Sequence, residues 1–72
     1  MTQKEVTGIL YEQIPYANRM EIKTIDNKDY YVFKSSDEEL YMVCVLSETT
    51  ESSHSDVLLT LEECYEWITQ NS

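Results

Sequence analysis

Glycine occurs once in this sequence, at position 8, which removes every glycine-rich phosphate loop from consideration. The same scarcity excludes an EF-hand, which needs a glycine at its turn and a bidentate glutamate at fixed spacing. Proline also occurs once, and the chain is 42% hydrophobic with six tyrosines, so the composition is that of a folded domain rather than a disordered one. No apolar run is long enough to span a bilayer; the longest, Leu40 to Leu46, suits a buried strand. The N-terminal residues Met1 to Glu5 lack the basic-then-apolar order of a signal peptide, so a cytoplasmic location and no membrane contact are expected. Cys44 and Cys64 are then expected as reduced, buried thiols, with both side chains free to face one core. No base follows Lys34.

That last absence divides the chain. Up to Ser36, Glu5, Glu12, Glu21, Asp26 and Asp29 are balanced by Lys4, Arg19, Lys23, Lys28 and Lys34. From Asp37 onward stand Asp37, Glu38, Glu39, Glu48, Glu51, Asp56, Glu62, Glu63 and Glu66, so this half carries the whole net charge of −9. A field of that sign repels nucleic acid and anionic membrane and attracts basic proteins.

With 72 residues the chain makes a single domain, residues 1–72, whose core is thin. The C-terminal segment shows a helix most clearly. Thr60-Leu61-Glu62-Glu63 matches a capping box, with Leu59 and Cys64 at the positions of a hydrophobic staple. Leu61, Cys64, Tyr65 and Ile68 form one stripe, Trp67 lies at its edge, and Glu62, Glu63 and Glu66 lie opposite. Arg19 to Ile25 alternates, with Met20, Ile22 and Thr24 on one side and Glu21 and Lys23 on the other. Asp26 to Asp29 has turn chemistry, Tyr30 to Lys34 returns to strand residues, and Ser35 to Glu39 turns again. Leu40 to Leu46 is apolar on both faces, which predicts an interior strand with Leu40, Met42, Cys44 and Leu46 on one side and Tyr41, Val43 and Val45 on the other. One helix covers one side only. The other must be closed by sheet curvature, by the N-terminal segment or by a second subunit, as in a homodimer.

Residues 5–14 carry conflicting signals. Thr2 and Glu5 have capping-box spacing and Val6, Ile9 and Leu10 have helical spacing, but Gly8 and the β-branched pair Val6-Thr7 favour a strand ended by Pro15. A strand is the expectation. Residues 47–56, rich in Ser, Thr and acids without periodicity, are expected as a mobile loop. The fold class expected is therefore α+β: an antiparallel meander of three to four strands with one C-terminal amphipathic helix packed on it.

Motifs for chemistry are sparse. Ser53-His54-Ser55-Asp56 has hydrolase residue types, but as neighbours in a polar loop without a nucleophile elbow or oxyanion hole. Cys44, His54 and Cys64 lack the paired spacing of a zinc site, and no cofactor or metal is expected. Tyr11, Tyr16, Tyr30, Tyr31, Tyr41, Tyr65 and Trp67 supply the aromatics of a base-stacking platform, but the basic groove that accompanies one is missing. An enzyme is thus not the expectation. The charge instead predicts a protein-binding module in which Asp37, Glu38, Glu39, Glu62, Glu63 and Glu66 meet a basic partner, as small phage-type inhibitors that mimic DNA do. That partner would itself be a nucleic-acid-binding protein. The alternative is a generic adaptor or homo-oligomerising domain whose acidity serves solubility, and Asp37-Glu38-Glu39 would then be only the solvated end of a hairpin.

Overall fold

Asp26 and Asn27 make the first hairpin of the sheet, and both adopt positive φ (51° and 65°) as a two-residue type I′ turn requires. In the computed structural model, which describes residues 1–47 and 49–72, this hairpin joins strands β1 (Ala17–Ile25) and β2 (Lys28–Ser35). Strand β3 (Tyr41–Val45) and a two-residue β4 (Ser53–His54) complete an antiparallel sheet in the order β1-β2-β3-β4. Helix α1 (Gln3–Gln13) precedes the sheet and α2 (Leu61–Asn71) follows it. The expected α+β meander and C-terminal helix are present, and the described residues form four strands. No helix among the described residues is long and apolar enough to cross a membrane.

All five residues of β3 are buried, and they divide as the alternation predicts. Tyr41, Val43 and Val45 join Tyr30, Val32, Cys64 and Ile68 on the side covered by α2. Met42 and Cys44 join Val6, Leu10, Ile14 and Ala17 on the side covered by α1. Of the three ways to close the second side, the fold uses the N-terminal segment.

That segment is a helix, which corrects the expectation of a strand over residues 5–14. The Thr2 hydroxyl accepts from the Glu5 amide at 3.1 Å, and the Glu5 carboxylate accepts from the Thr2 amide at 2.9 Å, so the capping box is complete. These bonds hold the Glu5 carboxyl below its ordinary pKa. Val6, Leu10 and Ile14 repeat every four residues and are all essentially solvent-free. Burial of that stripe outweighs the weak helix propensity of Val6, Thr7 and Gly8, each worth about 1 kcal/mol or less. Pro15 ends the helix rather than a strand.

Three smaller corrections follow from the packing. The thiols do not share a core: Cys44 lies under α1 and Cys64 under α2, on opposite sides of the sheet. On α2 it is Trp67, not Tyr65, that packs with Leu61, Cys64 and Ile68, while Leu59 is 63% exposed and forms no staple. Leu58, one residue earlier, packs against this core instead, and its backbone bridges to Tyr41. At the α2 cap, Thr60 accepts from the Glu63 amide at 3.2 Å but donates its hydroxyl to the Glu63 carboxylate, so only half of the box is made.

Within residues 47–56, β4 pairs with β3, and the buried Ser55 hydroxyl accepts from the Val43 amide at 2.9 Å where β4 has already ended. The part of the expected mobile loop at Glu48 lies outside the described residues.

Candidate acidic interface

Tyr41, the first residue of β3, brings the two acidic segments to one end of the sheet. Its hydroxyl donates to Glu39 Oε2 at 2.7 Å, which fixes it to the turn that carries Asp37, Glu38 and Glu39. Its backbone exchanges hydrogen bonds of 2.8 and 2.7 Å with Leu58, two residues before the α2 cap at Thr60. Glu62 and Glu63, in the first turn of α2, therefore start from the same sheet end as the acidic turn, and Glu66 follows one turn along. Hydrogen bonding to Glu39 pushes the Tyr41 phenol above its ordinary pKa, with burial acting in the same direction.

All six carboxylates anticipated from the sequence are exposed. Glu39 is partly compensated, since Lys34 Nζ lies 3.9 Å from its Oε1 and also donates to the Glu38 carbonyl at 3.2 Å. Asp37, Glu38, Glu62, Glu63 and Glu66 make no ion pair among the described residues. Glu62 and Glu63 are offset in another way, because the N-terminal end of a helix carries partial positive charge that favours acids there. Glu66, beyond that turn, has neither compensation.

Sequence reasoning missed the cations that the fold carries to this side. Lys34 reaches the acidic turn from β2, and Lys23 of β1 sits over the Tyr65 ring of α2, 4.8 Å from its centroid. Glu21 lies beside the same phenol and raises its pKa through hydrogen-bonding approach first and burial second, although no hydrogen bond of standard geometry joins them. The signal for Lys23 was available in part: it alternates with Glu21 on one face of β1, but the partner of that face is set by long-range packing.

The other candidate groups are held by backbone or by burial. His54 Nδ1 is 2.7 Å from the Ser55 carbonyl oxygen, and the Ser55 hydroxyl donates to the Asp56 carbonyl at 2.7 Å. Burial pushes the Cys44 thiol up to about 12 and the Cys64 thiol up to about 11, so neither is a ready thiolate near neutral pH. Among the described residues no three His, Cys, Asp or Glu side chains group as metal ligands. Comparison with protein-family models, curated proteins and solved structures finds no match to this chain.

Proposed function

We propose that this chain is a non-catalytic protein-binding module that presents Asp37, Glu38, Glu39, Glu62, Glu63 and Glu66 to a basic surface on a nucleic-acid-binding protein. The observation that carries the reading is the tie through Tyr41, which sets two separate acidic segments at one end of a rigid sheet. Carboxylates carried on a backbone held this way stand in for phosphates, and folding has already fixed the two segments that bear them relative to one another. The binding is electrostatic and therefore falls with rising salt, since exposed charges more than about 8–10 Å apart are screened near physiological ionic strength.

The test is capture of partners from the native host, followed by affinity measurement at low and high salt for wild type and for Glu62→Lys, Glu63→Lys and Glu66→Lys combined. Loss of binding in the triple variant, and displacement of the chain by nucleic acid, support the reading. Equal binding by both proteins with no salt dependence overturns it. The acidity would then serve solubility, a second reading favoured by the place of Glu62 and Glu63 at a helix N-terminus, where acids stabilise the helix itself.

A further inference from the structure

Strand β1 is the open edge of the sheet. β2 pairs one side of it, α1 packs on β3 and β4, and α2 packs chiefly on β3 and reaches β1 where Tyr65 meets Lys23, so among the described residues no strand pairs with its outer side. Long edges are usually protected, and here a bulge between Arg19 and Glu21 interrupts the first part of the strand. From Glu21 to Ile25 the pairing with β2 is regular, so this part of the edge is a template for another strand.

We propose that two copies of the chain pair through β1, antiparallel and centred on Ile22, so that Glu21 of each copy faces Lys23 of the other. A two-fold axis normal to the sheet keeps each face on its own side, so facing residues must share a face and the axis must pass through a residue pair. Centring on Glu21 would set Glu21 against itself, and centring on Lys23 would set two lysines together. Ile22 is the centre that matches opposite charges, and it does so twice.

Within the monomer Lys23 lies over the Tyr65 ring and Glu21 lies beside the same phenol, and what both lack is an ionic partner. Among the described residues the ion pairs are the Met1 amino group with Glu51 and Lys34 with Glu39, so Glu21 and Lys23 have none. Glu21 Oε1 is buried and takes no hydrogen bond. On the opposite face Ile22 is 44% exposed beside Tyr31, which stacks with Phe33 at 6.4 Å between ring centroids. Pairing about Ile22 joins this apolar row to its copy. The regular edge runs only from Glu21 to Ile25, so the contact is small and association is concentration-dependent.

This inference does not rest on the acidic-interface reading, and its test is separate. Sedimentation equilibrium of the full chain over a range of concentrations should show a monomer–dimer equilibrium. Lys23→Glu and Glu21→Lys should each weaken it by about tenfold or more, because each sets like charges face to face. The two substitutions combined restore complementarity and should recover the dimer. Independently, Ile22→Cys should give a disulfide-linked dimer under an added oxidant, since facing residues of paired strands lie within disulfide reach, whereas Thr24→Cys should not. A chain that stays monomeric at every concentration overturns the proposal. So does a dimer that survives Lys23→Glu without forming the Ile22→Cys cross-link, or a folded double exchange, judged by circular dichroism, that fails to recover it.

Discussion

Helices α1 and α2 are each eleven residues long, each starts from a threonine cap, and each closes one face of the same sheet. They reach that end by different means. α1 has a complete capping box and a narrow stripe of Val6, Leu10 and Ile14 that is almost wholly solvent-free. α2 has half a box, buries Cys64 and Ile68, and spreads the rest of its contact over the half-buried Leu61 and Trp67. It adds a tether at its far end, where the Tyr30 hydroxyl donates to the Asn71 carbonyl at 3.0 Å, and Tyr30 meets Trp67 edge-on at 6.5 Å. α1 meets its layer through aliphatic side chains, whereas α2 adds the indole of Trp67. A helix that looks weak in propensity is here the more completely buried of the two.

The two layers are probed most directly by emptying each in turn. Leu10→Ala and Ile68→Ala should each cost about 2–5 kcal/mol, a large part of the stability of a domain this size. Chemical denaturation of the two variants checks this; a Leu10→Ala protein as stable as wild type would remove α1 from the core. Alkali strains both layers together. Burial raises Cys44 and Cys64 above the ordinary thiol value of 9.0, so the folded state holds their protons longer than the unfolded chain. The stabilisation is therefore complete below pH 9, and it is lost as pH rises through about 11 for Cys64 and about 12 for Cys44. Denaturation midpoints measured from pH 8 upward should fall above pH 9. In a variant with both cysteines replaced by alanine, that part of the fall should vanish.

What was legible in the sequence follows physical range. β3 was legible because seven consecutive apolar residues need cover on both faces, and the hairpin because Asp26 and Asn27 tolerate positive φ. The acidic turn and the acidic face of α2 were legible as exposed positions. Their attachment to one sheet end was not, because it depends on Tyr41 meeting Leu58, seventeen positions away. The ion pair of Lys34 with Glu39 was hidden for a different reason: five residues apart, they meet only because the strand turns back between them. β4 has two residues and is continued by a serine hydroxyl, which leaves no periodic trace. The preference for Trp67 over Tyr65 amounts to a small rotation of α2 about its axis, which the spacing of apolar residues alone does not fix.

The caps offer a finer separation of the two helices. Thr2→Ala removes the hydroxyl that accepts from the Glu5 amide and leaves the reciprocal Glu5 contact without its partner geometry. Thr60→Ala removes the hydroxyl that accepts from the Glu63 amide and donates to the Glu63 carboxylate, but no return bond to the backbone. Both losses should fall within about 0.5–2 kcal/mol, with Thr2→Ala the larger. Equal melting temperatures for the two variants would mean that the second bond of the box adds nothing here.

The smallest expected effect is also the one that most sharply tests why α1 was hidden. Gly8 was, with Val6-Thr7, a local argument for a strand, and in the folded chain it sits in the middle of α1 with negative φ. A Cβ built there meets no atom within 4 Å, so the position is open to solvent and needs neither close approach nor unusual backbone. Glycine at such a site only adds entropy to the unfolded chain and weakens the helix relative to alanine. Gly8→Ala should therefore stabilise the protein by about 0.5–1 kcal/mol, raising its melting temperature by a few degrees. A strand through residue 8 would place a side chain on one face of a sheet, and the gain from helix propensity would be absent. Thermal melting of Gly8→Ala beside wild type distinguishes these outcomes. A melting temperature that falls would show that residue 8 is under a constraint that the open space around it does not explain.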